Sequence, residues 1–193
     1  MQLNMKGYIN ELNNILLNIQ ITDSINTNID LNHSIEKAIE IITAQSEKSN
    51  KIIIIGNGGS ASIAAHLAID LWKNAGIRAT TYSDSALLTC ISNDFGYEHV
   101  FEKPIEMFAD KGDVLIAISS SGMSKNIING AVAAENKGCK IITMSGFKEN
   151  NTLRSKGEIN FYVPSDSYGY VELAHSILCH CIVDIITNEK IHG

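Results

Sequence analysis

His66 and Asp70 stand four residues apart in the stretch GNGGSASIAAHLAID, residues 56–70. On a helix that spacing puts both side chains on one face. An imidazole and a carboxylate so placed can share a divalent cation or pass a proton. The flanking residues, AAHLAIDL, are otherwise apolar, and a charge in such surroundings requires a partner.

Two other segments carry residues suited to anions. The first is Gly56-Asn57-Gly58-Gly59-Ser60, directly after the run Lys51-Ile-Ile-Ile-Ile55. Glycines let the backbone turn sharply, and a helix starting there offers unpaired N–H groups with a partial positive charge. The second is Ser119-Ser120-Ser121-Gly122-Met123-Ser124, directly after DVLIAI. Read blandly, the first is a tight strand–helix turn and the second a serine helix cap. Capping needs one serine, and this segment has four, so an uncharged phosphate cradle is the stronger reading. The chain has neither a GxGxxG dinucleotide fingerprint nor a GK[ST] phosphate-binding lysine.

The elements that must position these residues follow from hydrophobic spacing. Residues 3–18 and 31–48 repeat apolar positions at helical intervals (Leu12, Ile15, Leu16, Ile19; then Ile35, Ala38, Ile39, Ile42), with Asp30 or Asn32 as cap of the second helix. From residue 51 short β-branched runs alternate with helical stretches. The runs are KIIIIG, IRATTYS, DVLIAIS, KIITMSG and INFYVP; the helices fall at 59–75, 85–92, 98–109, 124–137 and 170–189. Continuous apolar strands separated by helices predict an α/β fold with a five-stranded parallel sheet covered on both faces. The two leading helices, with no strand expected between them, should pack beside that core or mediate assembly. The whole chain reads as one domain.

Bulk properties narrow the function. The chain has 193 residues, 45% apolar and 19% charged, with a net charge of -6. That balance argues against a nucleic-acid partner, which requires a basic face. Local donors can still hold a small anionic ligand. The four cysteines (Cys90, Cys139, Cys179, Cys181) form no CxxC pair and read as free, mostly buried thiols in a reducing cytoplasm. The first twenty residues lack the pattern of a secretory signal. YVELAHSILCHCIVDIITNE is long and apolar but carries Glu172, Asp184 and two histidines, so it is expected to be a helix buried in protein, and against another subunit, with no membrane partner.

Taken together, GNGGSASIAAHLAIDL, ISNDFGYEHVF, GDVLIAISSSGMSKNII and VELAHSILCH resemble the sugar-isomerase (SIS) domain and, within it, the phosphoheptose isomerase family. The likeness spans nearly the whole chain. It implies a flavodoxin-like three-layer sandwich, with residues 1–48 as a helical oligomerisation segment. It implies a cytoplasmic homotetramer with active sites between subunits, one zinc ion per site, and conversion of D-sedoheptulose 7-phosphate to D-glycero-D-manno-heptose 7-phosphate through a metal-assisted enediol. The product would serve lipopolysaccharide, capsule or another glycan. Carried over by motif, Ser119, Ser120, Ser121 and Ser124 would grip the phosphate. Asn57, Gly58, Gly59 and Ser60 would line the sugar site, with Asn93, Asp94, Asp70 and Glu172 adding substrate contacts. The metal positions fall on His66, Asp70, Glu172 and His180, and Asp70 and His180 are the candidate acid–base residues.

The sequence departs from the family at several of these places. Asp70 stands where glutamate is usual and Glu172 where glutamine is usual, so the ligand set carries one more negative charge. Tighter metal binding with weaker Lewis acidity is the expected consequence. Asn74 replaces a basic residue, and Gly169 and Tyr170 replace an acid–arginine pair. Glu172 and His180 are eight residues apart, a helix rise of about 12 Å, so both cannot reach one ion from one straight helix. Either a neighbouring subunit supplies one of them, or Glu172 lies in a distorted first turn. His175 reads as structural, and Cys179 and Cys181 as packing. Two other functions fit the same motifs: a non-catalytic SIS module that associates with a replication initiator, and an isomerase of a different phosphosugar.

Overall fold

The computed structural model describes residues 4–192. The chain opens with α1 (Met5–Leu17), whose N-terminus is capped by the Asn4 side chain accepting from Gly7 N at 2.9 Å. A hairpin follows, β1 (Gln20–Asp23) and β2 (Asn28–Ile29), and then α2 (Leu31–Glu47). Of the two cap candidates for α2, Asp30 is the one used: its carboxylate accepts from the N–H groups of Asn32 and His33.

The alternating part comprises β3 (Ile52–Gly56), α3 (Gly59–Lys73), β4 (Ala79–Thr81), α4 (Ser85–Phe95), α5 (Glu102–Phe108), β5 (Val114–Ser119), α6 (Lys125–Asn136), β6 (Lys140–Ser145), β7 (Ile159–Tyr162) and α7 (Tyr168–His192). One-turn 3-10 helices sit at Tyr97–His99 and Leu153–Ser155.

The sheet has seven strands in the order β2-β1-β7-β6-β5-β3-β4. Five of them, β3 to β7, are parallel as expected. The other two correct the expectation of no strand between the leading helices. β1 pairs antiparallel with β7, Ile21 opposite Phe161, and β2 pairs antiparallel with β1. This hairpin covers an edge that would otherwise present unpaired backbone groups. Its sequence, QITDSINTNI, is too short and too rich in Asn and Thr to declare itself.

The strands read as unbroken apolar runs because both faces of the sheet are covered. Ile52 and Ile54 face the core formed with α1, α2, α3 and α7, while Ile53 and Ile55 face the core formed with α5 and α6. All four are fully buried, each contributing about 1.5–3 kcal/mol of transfer free energy. In α7, residues Tyr168–Lys190 are long and apolar enough to span a membrane. Val171, Ala174, Leu178, Ile182, Val183 and Ile186 are nevertheless buried in the first core, which makes α7 a core helix. The N-terminal helices belong to the same core through Ile15, Ile35, Ile39 and Ile42.

The cysteines divide evenly. Cys139 and Cys179 are buried, whereas Cys90 and Cys181 are exposed, and all four are free. The expectation of mostly buried thiols, and of Cys181 as packing, is corrected accordingly: the outward face of α7 carries Cys181.

Candidate active site

Numbered among themselves, the five parallel strands run 2-1-3-4-5, with the reversal between β3 and β5. Connections leave those two strands toward opposite faces, which opens a crevice at their carboxyl ends. Both suspected anion loops lie there, since Gly56 ends β3 and pairs opposite Ile118 in β5. The crevice is a cleft of about 250 Å³ lined by Asn57, Gly58, Gly59, Ser60, Ser119, Ser120, Ser121, Ser124, Tyr168 and Glu172.

The serine turn is tied together by its own hydroxyls. Ser124 is the N-cap of α6, yet its side chain makes no capping hydrogen bond. Its hydroxyl instead receives a hydrogen bond from Ser119 Oγ at 3.4 Å. Gly122 N donates to Ser119 Oγ at 3.2 Å, and Met123 N to Ser121 Oγ at 3.2 Å. The turn needs glycine at 122, where φ is +61°.

Opposite it, Asn57 and Asn126 exchange side-chain amide hydrogen bonds of 2.9 and 2.8 Å, and Tyr97 Oη donates to Asn57 Oδ1 at 3.0 Å. Asn126 and Tyr97 escaped the sequence reading, as did Tyr168 on the cleft wall. Asn126 is 69 residues from its partner, and no local pattern reports that contact.

Glu172 lies over the start of α3. A Cβ built on Gly59 would stand 2.4 Å from the Glu172 carboxylate carbon, so glycine is what admits the side chain there. A carboxylate at that position faces the positive end of the α3 dipole. Asn93 and Asp94 do not line the cleft within one chain. They are exposed on α4, where Asn93 Nδ2 donates to Asp94 Oδ1 at 2.9 Å.

The second feature lies farther along α3, where α7 runs beside it. His66 Nε2 is 3.1 Å from Asp70 Oδ2, His180 Nδ1 is 3.8 Å from the same oxygen, and the two imidazole centroids are 5.3 Å apart. One ligand atom from each residue can be chosen so that all lie within 4.8 Å of one another, the one such grouping among the described residues. Two imidazoles and a carboxylate form the donor set of a divalent site with an open position. The three residues line a hollow of about 280 Å³ together with Ser62 and Ser176, which faces solvent. Exposed Ile69, Trp72, Leu173 and Ile177 lie on the same two helices. Glu172 is outside this group, two turns earlier on a regular α7. The distorted first turn considered for Glu172 is therefore absent.

His175 lies between these positions on α7 and is fully buried. Its Nε2 is 3.2 Å from the Ser145 carbonyl oxygen, which can only accept, so Nε2 carries the proton. Nδ1 is buried without a partner among the described residues. Burial pushes the imidazole down to about 4, against the opposing effect of the Ser145 bond.

Similarity to known proteins agrees with this geometry. The family model described as the SIS domain matches residues 8–146. Phosphoheptose isomerase of Sulfurimonas denitrificans is 35% identical over 191 residues, covering 96% of each chain. That of Aliarcobacter butzleri is 40% identical over 166 residues, covering 82% of this chain and 86% of the relative. The solved phosphoheptose isomerase of Neisseria gonorrhoeae superposes with a TM-score of 0.79 at 27% identity, covering 95% of this chain and 96% of that one.

Proposed function

Because the chain belongs to the SIS-domain family and, within it, to the phosphoheptose isomerases, we propose that it interconverts D-sedoheptulose 7-phosphate and D-glycero-D-manno-heptose 7-phosphate. One observation carries the reading. A cleft at the sheet's switch point and a His–Asp–His cluster are linked by helix α3, whose Gly59 lines the first and whose His66 and Asp70 belong to the second, with Gly59 and His66 separated by a rise of about 10 Å. That arrangement suits a ligand with phosphate at one end and a carbonyl at the other.

The two loops divide the work by charge. Glu172 already places a carboxylate at the amide end of α3, so a phosphate is better held by the uncharged turn of Ser119, Ser120, Ser121 and Ser124. Asn57, Gly58, Gly59 and Ser60 then face sugar hydroxyls, with Tyr168 closing one wall. Asn93 and Asp94 reach a substrate only from a neighbouring copy.

The reaction moves one hydrogen from C1 to C2. A base takes the C1 proton, the electron pair forms the C1–C2 double bond, and the carbonyl oxygen gains a proton to give the enediol. Loss of the O1 proton then forms the aldehyde as C2 is protonated. Asp70 and His180 are the proposed proton carriers, being adjacent in the hollow, with His180 half-exposed and Asp70 mostly buried. His66, Asp70 and His180 would hold a divalent ion, zinc in our reading; a neighbouring copy's Glu172 would complete the set. When bound, such an ion supplies Lewis-acid polarisation of the carbonyl oxygen.

The assembly we propose is a homotetramer with sites at subunit boundaries, in the cytoplasm. Support comes from apolar side chains left outside: Ile69, Trp72, Leu173 and Ile177 around the cluster, and Met5, Ile9 and Leu17 on α1, consistent with an assembly role for residues 1–48. The test is turnover of sedoheptulose 7-phosphate by purified protein, with metal analysis and light scattering on the same sample. A metal-replete tetramer that forms no aldose would sink the proposal and leave the non-catalytic module or another phosphosugar.

A further inference from the structure

The serine turn is held in shape by a residue that does not line the cleft. Asn151 is 4% exposed, and its side-chain amide is fully engaged. Nδ2 donates to Lys148 O at 2.8 Å and Ser145 Oγ at 3.1 Å, with Gly146 O at 3.3 Å. Oδ1 accepts from Arg154 N at 3.0 Å. That same Oδ1 lies against Gly122, where an added Cβ would come within 1.9 Å of it. Beside it, Leu153 N donates to Gly122 O at 3.0 Å, and Thr152 N and Oγ1 each approach Met123 Sδ at 3.5 Å. The segment after β6 thus clasps the middle of the serine turn from behind. It is anchored at Ser145, which pairs in register with Ser119 and whose carbonyl is bound by His175 of α7.

We propose that Asn151 is a positioning residue for phosphate capture. An anion site made of backbone amides and hydroxyls, with no fixed cation, binds well only if those donors already converge when the ligand arrives. A slack turn must be ordered by the ligand, and that ordering subtracts from binding while leaving the chemistry at the other end of α3 unchanged. Asn151 therefore acts on affinity, not on turnover. This inference rests on the phosphosugar reading of the cleft.

The test is Asn151→Ala, with Asn151→Ser as the milder variant should alanine prevent folding. KM for sedoheptulose 7-phosphate and Kd for inorganic phosphate, measured by calorimetry, should rise together by about tenfold, with kcat within about twofold of wild type. Hydrogen exchange at the Gly122 and Met123 amides should accelerate while β5 stays protected. A folded variant with unchanged phosphate affinity, or one losing kcat at constant KM, overturns the proposal. A wild-type chain that binds phosphate but does not isomerise the sugar leaves Asn151 to be judged by phosphate affinity alone. A wild-type chain with no phosphate affinity overturns both readings.

Discussion

Asn57 and Asn126 clasp each other through two side-chain hydrogen bonds, of 2.9 and 2.8 Å, across the point where the strand order reverses. Each amide uses its oxygen and its nitrogen on the other, so the glycine loop and the start of α6 are held at one separation. Asn126→Leu leaves Asn57 with Tyr97 as its remaining side-chain partner. The expected loss is about 1–3 kcal/mol in urea unfolding, with a raised KM.

Gly122→Ala places a methyl 1.9 Å from Asn151 Oδ1 on a backbone with φ +61°. Left-handed backbone costs a side chain about 1–2 kcal/mol and overpacking about 1–3 kcal/mol. A melting temperature lowered by several degrees, with loss of inorganic phosphate binding, is the expected outcome of thermal melts and calorimetry.

Replacing His66 or His180 by alanine removes one of three clustered donors. Metal analysis should show loss of the bound divalent ion, and isomerisation should fall by about 10²–10⁴-fold for His180 as a proton carrier. Glu172→Ala should retain the ion at reduced affinity, because its carboxylate lies at the start of α3 and outside the cluster of its own chain.

His175 makes stability depend on acid. Its folded pKa, about 4, lies below the unfolded value of 6.5, so the unfolded chain takes up a proton first as pH falls. Stability is complete above pH 6.5 and declines from there to about pH 4, by about 3 kcal/mol for this group. Urea midpoints between pH 7.5 and 4.5 should fall in the wild type and fall less in His175→Gln.

Burial pushes the Cys139 thiol up to about 11 and the Cys179 thiol up to about 12. Neither supplies thiolate at neutral pH. Alkylation followed by mass spectrometry should leave both unmodified in the native protein and modify both after unfolding.

Much of this architecture is legible in the linear chain. Ile52 to Ile55 and Val114 to Ile118 announce buried parallel strands because both side-chain directions meet apolar helices. The His66–Asp70 spacing announces a shared helix face, and four serines after a strand announce the turn that lines the cleft. These are local signals: side-chain periodicity reports which faces of an element are covered.

Other features depended on elements distant in sequence meeting in space. The β1–β2 hairpin exists because β7 offers an open edge, and the contact Gln20↔Tyr162 has no trace near residue 20. Asn126 gained its role from a partner 69 residues away. His180 joins His66 and Asp70, while Glu172 meets Gly59, because α7 lies along α3 with one particular offset. Composition and period establish what each segment is and which side it buries. The offset between two packed helices follows from how their side chains interdigitate over the whole interface, and that is settled only when the layers close on one another.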